Sequence, residues 1–214
     1  MHFICYLDQY LTSVEFPESL TEIYAGAFYN CENLSGELRF PRSLISIGKE
    51  RYLEDITNPL EDLSCGLPDI IHPDDLEDYS LLGLFETGSF SYCTSLSGIC
   101  FPDSLVDIGE GSFSGCTGLS GELRFPEKLE YIGDRAFTDC AGLSGELHLP
   151  EKLKYIGKQA FAGCTAIEKI FFYNRNTDIH EFLSAYDRPI ICGYENSTAE
   201  KYARDHDLIF EKLT

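Results

Sequence analysis

The chain has 214 residues, with 36 acidic and 16 basic side chains and a formal net charge of −20. Such a charge argues against a nucleic-acid partner, whose phosphates it would repel, and against unaided docking on an anionic membrane. No run of about 18 apolar residues occurs, so no membrane insertion is expected.

Read in chain order, the sequence opens partway through a pattern. Cys5 and Asp8 stand where later copies carry Phe and Cys, and Leu11, Val14, Phe16-Pro17, Leu20, Ile23 and Phe28 then set the spacing. Residues 1–27 therefore read as an incomplete first coil. No charged segment followed by an apolar one marks a signal peptide, and no amphipathic cap covers this end, so the chain reads as a piece of something longer. Phe28 to Arg51 is a full unit of 24 residues. Tyr52 stands in for the next Phe, and residues 52–89 read as a degenerate coil with 14 extra residues that keeps Leu63-Ser64, Leu67 and Leu76. Three well-kept coils follow from Phe90 to Ala160. Phe113, Phe137 and Phe161 recur at a step of 24, as do Cys116, Cys140 and Cys164. After Phe161 the pattern passes through Ile167 and Ile170-Phe171-Phe172 and dissolves. Residues 174–214 read as a C-terminal cap, with Ser197 and Glu200 forming a capping box for a helix over 198–205 that turns Ala199, Tyr202 and Ala203 inward. Leu208 and Phe210 then suggest an edge strand.

A repeat of this length cannot bury a core alone, so its apolar positions must be covered by neighbouring copies. In Ser120-Gly121-Glu122-Leu123-Arg124-Phe125-Pro126 the alternation marks a strand with Leu123 and Phe125 inward, ended by Pro126. Leu129, Ile132-Gly133 and Phe137 follow at wider intervals and read as a second, irregular wall: a turn, a short extended piece and a 3₁₀ turn.

The pattern C-x-x-L-(4)-L-x-F-P-x-x-L-x-x-I-G-x-x-A-F, over most of the chain, resembles the leucine-rich repeat of the BspA-like family of bacterial and protist surface proteins. That family's repeat is usually about 23 residues long. The unit from Cys93 to Ser112 keeps that spacing, while the 24-residue copies add one residue at Gly-Glu. The resemblance implies an α/β class solenoid, mostly strand and loop. It would form one curved right-handed superhelix of about 6–7 coils, with a parallel concave sheet, short extended or 3₁₀ segments opposite and a C-terminal capping helix. It also implies an extracellular or cell-surface location.

Five of the nine cysteines, Cys31, Cys93, Cys116, Cys140 and Cys164, hold one repeat position beside the inward Phe. They read as small buried thiols, with a disulfide ladder as the lesser alternative. No Cys-x-x-Cys pair points to zinc. The histidines do not recur, and Cys192 with His180 or His206 is weaker as a thiol–imidazole pair than as plain core. The run Asp74, Asp75, Glu77, Asp78 lacks the order and central glycine of a calcium loop and reads as solvated. Asn33 and Asn196 begin sequons of the glycosylation type. No cofactor or metal is expected, nor any enzymatic activity.

The outward strand positions are free to vary. Arg39, Cys100, Arg124, His148 and Phe171 make one row; Glu37, Glu122, Glu146 and Lys169 make the next. The rows read either as cross-strand pairs keeping the sheet soluble or as a binding surface, and Glu37, Arg39, Glu122, Arg124, Glu146, His148, Lys169 and Phe171 are its candidate residues. The functional expectation is a monomeric, non-catalytic scaffold engaging an unidentified protein or glycan ligand. The alternatives are a purely structural spacer or coat and, more remotely, a hydrolase using the inserted loop.

Overall fold

The computed structural model describes residues 10–49 and 88–214. Its elements in chain order are β1 (Glu22–Tyr24), β2 (Gly36–Arg39), β3 (Ser46–Lys49), β4 (Leu96–Cys100), β5 (Asp107–Ile108), β6 (Tyr131–Ile132), β7 (Ser144–Leu149), β8 (Tyr155–Ile156), β9 (Ala166–Phe172), β10 (Asp178–Ile179), β11 (Ile190–Gly193), α1 (Thr198–Asp205) and β12 (Phe210–Lys212). They form a parallel β-solenoid of about 7 turns with one short helix near the C-terminus.

Each coil has two walls. On the wall predicted from the alternating residues, β2 pairs with β4, and β7, β9, β11 and β12 form a second sheet. Residues 121–124 connect to β7 only through the parallel bridges Gly121–Leu143 and Arg124–His148. The alternation holds: Leu38, Leu123 and Leu147 are buried while Glu37, Arg39, Glu122, Arg124, Glu146 and His148 are exposed. The opposite wall, expected to be irregular, carries the longer sheet. There β1, β3, β5, β6, β8 and β10 stack in that order, all parallel, burying Ile23, Ile47, Ile108, Ile132 and Ile156. The glycine after the isoleucine keeps this wall tight. A Cβ on Gly133 would lie 2.6 Å from the backbone nitrogen of Glu110, and one on Gly109 would lie 2.3 Å from the carbonyl oxygen of Gly48. Instead of the expected 3₁₀ turn, the described coils close through successive β-turns, as where Cys116 N–H donates to Phe113 O and Leu119 N–H to Cys116 O.

Between the walls run two aromatic columns. Phe28, Phe90, Phe113, Phe137 and Phe161 stack near-parallel with centroid spacings of 4.9, 5.3, 5.3 and 5.2 Å. Beside them Phe16, Phe40, Phe101 and Phe125 stack, and their edges meet the first column at 5.8–5.9 Å, as in Phe40–Phe90, Phe101–Phe113 and Phe125–Phe137. Both geometries suit the ring quadrupole.

The cysteines have a role beyond small volume. The thiols of Cys93, Cys116, Cys140 and Cys164 donate to the carbonyls of Phe28, Phe90, Phe113 and Phe137, one coil back, at 3.1, 3.0, 3.1 and 3.2 Å. Each of those carbonyls also accepts from the N–H of its own turn's cysteine. Both lone pairs of a buried oxygen are thereby engaged, which a serine could do only by burying a more strongly hydrated group. All five repeat cysteines are unbridged.

The expected degenerate coil over 52–89 falls almost wholly outside the described residues. The coils that flank it touch directly: Phe28 stacks on Phe90, β2 pairs with β4 and β3 with β5. Gly88-Ser89-Phe90 takes up the turn in register, with Phe28 N–H donating to Ser89 O.

One flaw lies in the isoleucine wall. Asp107 on β5 and Ser46 on β3 are register partners, and Asp107 Oδ1 and Ser46 Oγ are buried without hydrogen-bond partners. Burial pushes the Asp107 carboxyl up to about 6, against the pull of the Lys49 charge.

Two outcomes follow. Phe137→Ala opens the aromatic column and is expected to cost about 3–5 kcal/mol, whereas Lys128→Ala, on an exposed turn, is expected to leave denaturant stability nearly unchanged; equal losses would contradict the column's role. Because the Asp107 carboxyl is more easily protonated in the fold than at its ordinary 3.8, its contribution is fully present below that value and lost as pH rises through about 6. Compared with wild type, Asp107→Asn is expected to gain stability between about pH 4 and pH 6, read as the difference between the two unfolding-midpoint profiles.

Candidate functional site

The strand wall brings together only part of the predicted surface. Parallel register sets Arg39 beside Cys100, Arg124 beside His148, His148 beside Phe171 and Glu146 beside Lys169. Glu122, Arg124, Glu146 and His148 converge on a cavity of about 320 Å³, whose wall also includes Glu127 and Tyr173 and whose floor includes Leu123, Phe125 and Leu149. Lys169 and Phe171 flank it on β9. Glu37 and Arg39 lie apart on β2 and do not line it.

Glu122 and Glu146, which face this cavity, pair along their own strands, not across them. Glu37 meets Arg39 at 2.5 Å, Glu122 meets Arg124 at 3.6 Å and Glu146 meets His148 at 3.4 Å. All are largely exposed, so each contributes little to stability. Glycine at the strand entrance makes room for the glutamate of the coil before: a Cβ on Gly145 would lie 3.2 Å from Glu122 Cγ. Pairs between coils are found on the other wall, where Lys49 meets Glu22 and Lys154 meets Glu130, each at 2.5 Å, and Arg135 meets Glu110.

His148 is the best-fixed polar group of the cavity. Its ring stacks on Phe171 at 4.5 Å, its Nδ1 is 2.7 Å from the Tyr173 hydroxyl and its Nε2 is 3.4 Å from Glu146 Oε2. A carboxylate only accepts, so the neutral ring carries its proton on Nε2 and takes the Tyr173 O–H at Nδ1. Burial, then the Glu146 charge, raises the Tyr173 phenol above its ordinary value. Lys169 is held by Glu211 of β12 at 2.6 Å, and that hydrogen bond raises its pKa. Tyr173 and Glu127 escaped the sequence reading. Tyr173 was findable, because it continues the outward alternation two residues beyond Phe171.

The sequence's other candidates are not drawn into a centre. Cys192 approaches Glu211 at 3.8 Å, His206 stacks on Tyr202, and His180 meets Asp178 at 3.6 Å. Among the described residues no group of three or more His, Cys, Asp or Glu is placed to hold a metal ion, and no helix is long and apolar enough to cross a membrane. The acidic run at 74–78 lies outside the described residues.

Two stacked walls, recurrent inward leucines and a closing helix define a leucine-rich solenoid. The family model "BspA type Leucine rich repeat region" matches in 6 copies over residues 3–60 and 84–186, so the chain belongs to that family. Among solved structures it is similar to a leucine-rich repeat protein of T. pallidum, with 20% identity over 94% of this chain and 86% of that one, at a TM-score of 0.54. It is also similar to a leucine-rich repeat protein of Bacteroides ovatus, with 15% identity, 97% and 70% coverage and a TM-score of 0.34. A leucine rich cell surface protein of Faecalibacterium prausnitzii matches at 17% identity, 95% and 79% coverage and a TM-score of 0.30. At these identities the likeness speaks to the fold alone. No curated protein matches the chain significantly.

Cys100, beside Arg39 on the candidate surface, is exposed, whereas the five repeat cysteines are buried. Burial raises the Cys116 and Cys164 thiols to about 12 and holds those of Cys93 and Cys140 high as well. Iodoacetamide at neutral pH is therefore expected to modify Cys100 in the folded protein and the repeat thiols only after denaturation. Peptide mass spectrometry reads the sites, and labelling of Cys116 or Cys140 in the native state would contradict the ladder.

Proposed function

We propose that this chain is a non-catalytic binding scaffold, acting as a monomer outside the cell or at its surface, whose strand wall engages a protein or glycan partner. The family is one whose members are typically protein-binding surface proteins. The observation that carries the reading is the 320 Å³ cavity where Glu122, Arg124, Glu146, His148 and Tyr173 meet over an apolar floor. A few convergent polar groups over apolar side chains is how binding sites are generally built. A spacer needs no such convergence. Like-charged Glu122 and Glu146, held on adjacent coils, favour a partner that brings hydrogen-bond donors or positive charge.

The test is an array of immobilised glycans and purified extracellular proteins probed with the labelled chain. Charge reversal at Glu122, Arg124 and Glu146 together is expected to weaken the positive spots at least roughly tenfold, with circular dichroism and the unfolding midpoint preserved. The exposed-turn variant Glu151→Lys is expected to bind as wild type. Equal binding by the triple variant would overturn the assignment to the strand wall.

A further inference from the structure

On the proposed reading of the strand wall as a binding surface, its 320 Å³ cavity also selects a class of ligand. The polar groups that line it are open to solvent. The side chains of Glu122 and Arg124 are 57% and 88% exposed, and those of Glu146 and His148 are 49% and 50% exposed. Neither pair is tightly closed. Glu122 and Arg124 stand 3.6 Å apart, and Glu146 Oε2 stands 3.4 Å from His148 Nε2. Both separations exceed that of a well-made charge-assisted hydrogen bond, so each pair can open toward a ligand.

Donors and acceptors are mixed in this lining. Glu122, Glu127 and Glu146 can only accept, while Arg124 can only donate. A cationic ligand would meet the Arg124 guanidinium, and a carboxylated or sulfated one would meet three carboxylates. A neutral ligand whose groups both donate and accept escapes both repulsions. A hydroxyl is such a group.

The cavity also has a flat aromatic side. Phe171 covers one face of the His148 ring at 4.5 Å and 11°, and the Tyr173 hydroxyl at 2.7 Å fixes the ring's rotation. The opposite face is turned toward the preceding coil, whose Leu123 and Phe125 join Leu149 in the apolar floor. Aromatic surface continues past the cavity. Parallel pairing of Phe171 with Cys192 brings Tyr194, on the next coil, level with Tyr173. Both tyrosines are half-buried, and the Arg175 guanidinium lies 4.3 Å from the Tyr194 ring centre.

From this arrangement we infer that the strand wall binds a glycan chain of neutral hexose units. One pyranose lies with its C–H face on the His148 ring, gives hydroxyl protons to Glu122 and Glu146 and accepts from Arg124; a further unit reaches Tyr194. A pyranose has an apolar C–H face and a rim of hydroxyls, which matches an aromatic side ringed by mixed polar groups. A peptide fits less well. Strand addition needs a free sheet edge, and here the coil of residues 121–124 occupies the edge of β7; helix docking needs an apolar groove, and this rim is carboxylate.

Calorimetric titration of the full chain tests the inference. The probes are tetrasaccharides of β-linked glucose, β-linked galactose and α-linked mannose, with tetragalacturonate as the charged comparison. Saturable binding of at least one neutral tetramer is expected, with tetragalacturonate weaker by roughly tenfold or more. His148→Ala is expected to weaken the bound tetramer roughly tenfold, and His148→Phe, which keeps a flat ring, to weaken it less. Tyr194→Ala is expected to weaken the tetramer and leave the disaccharide of the same sugar unchanged. These positions are exposed or half-buried, so unfolding midpoints are expected to stay near wild type. The inference is overturned if no neutral tetramer binds saturably, if tetragalacturonate binds as tightly, or if His148→Ala binds as wild type. A purified, deglycosylated protein that binds the wild-type chain and not the triple charge-reversal variant, with every neutral tetramer silent, would overturn the glycan and keep the wall's binding role. A tetramer bound equally by the triple variant would overturn both.

Discussion

The fold depends on vertical contact between coils. No single coil encloses anything: Leu129, Ile132 and Phe137 are fully buried only because equivalent residues lie above and below. The aromatic column supplies much of that contact, and the thiol-to-carbonyl ladder beside it keeps the turn backbone satisfied without water. Stability in such an array is a sum of neighbour terms, so damage at one level is shared by two interfaces.

The same rule determines where recognition chemistry can sit. Inward positions are committed to the column, and the glycine of the isoleucine wall is committed to close backbone approach. Only the outward row of the strand wall is free of both duties. There, faithful repetition places glutamate over glutamate, so opposite charges have to be found two residues along the strand, as in Glu122–Arg124. Excess negative charge is left on that wall.

Much of this was legible in the sequence, for a physical reason. The period exposes the column directly, because residues at equal spacing must stack; Ser197 and Glu200 announced the helix because capping chemistry is local. What was not legible depends on distances between coils. The repeat cysteines could be read as buried, but their donation to a carbonyl one coil back could not. The Glu–Arg pairs were expected across strands, and the identity of successive repeats is what forbids it. The second wall was underrated as a sheet because its strands of two to four residues show no alternation long enough to read. Asp187 shows no pattern at all, since its placement is set by the way the cap folds back onto Gly163.

The junction between Lys49 and Gly88 carries a wider consequence. The turn resumes at Gly88 as if the preceding coil had continued from Lys49, and the rings of Phe28 and Phe90 stack across it at 4.9 Å. The rungs on either side touch whatever the chain does between Lys49 and Gly88, so the aromatic column runs past this point unbroken.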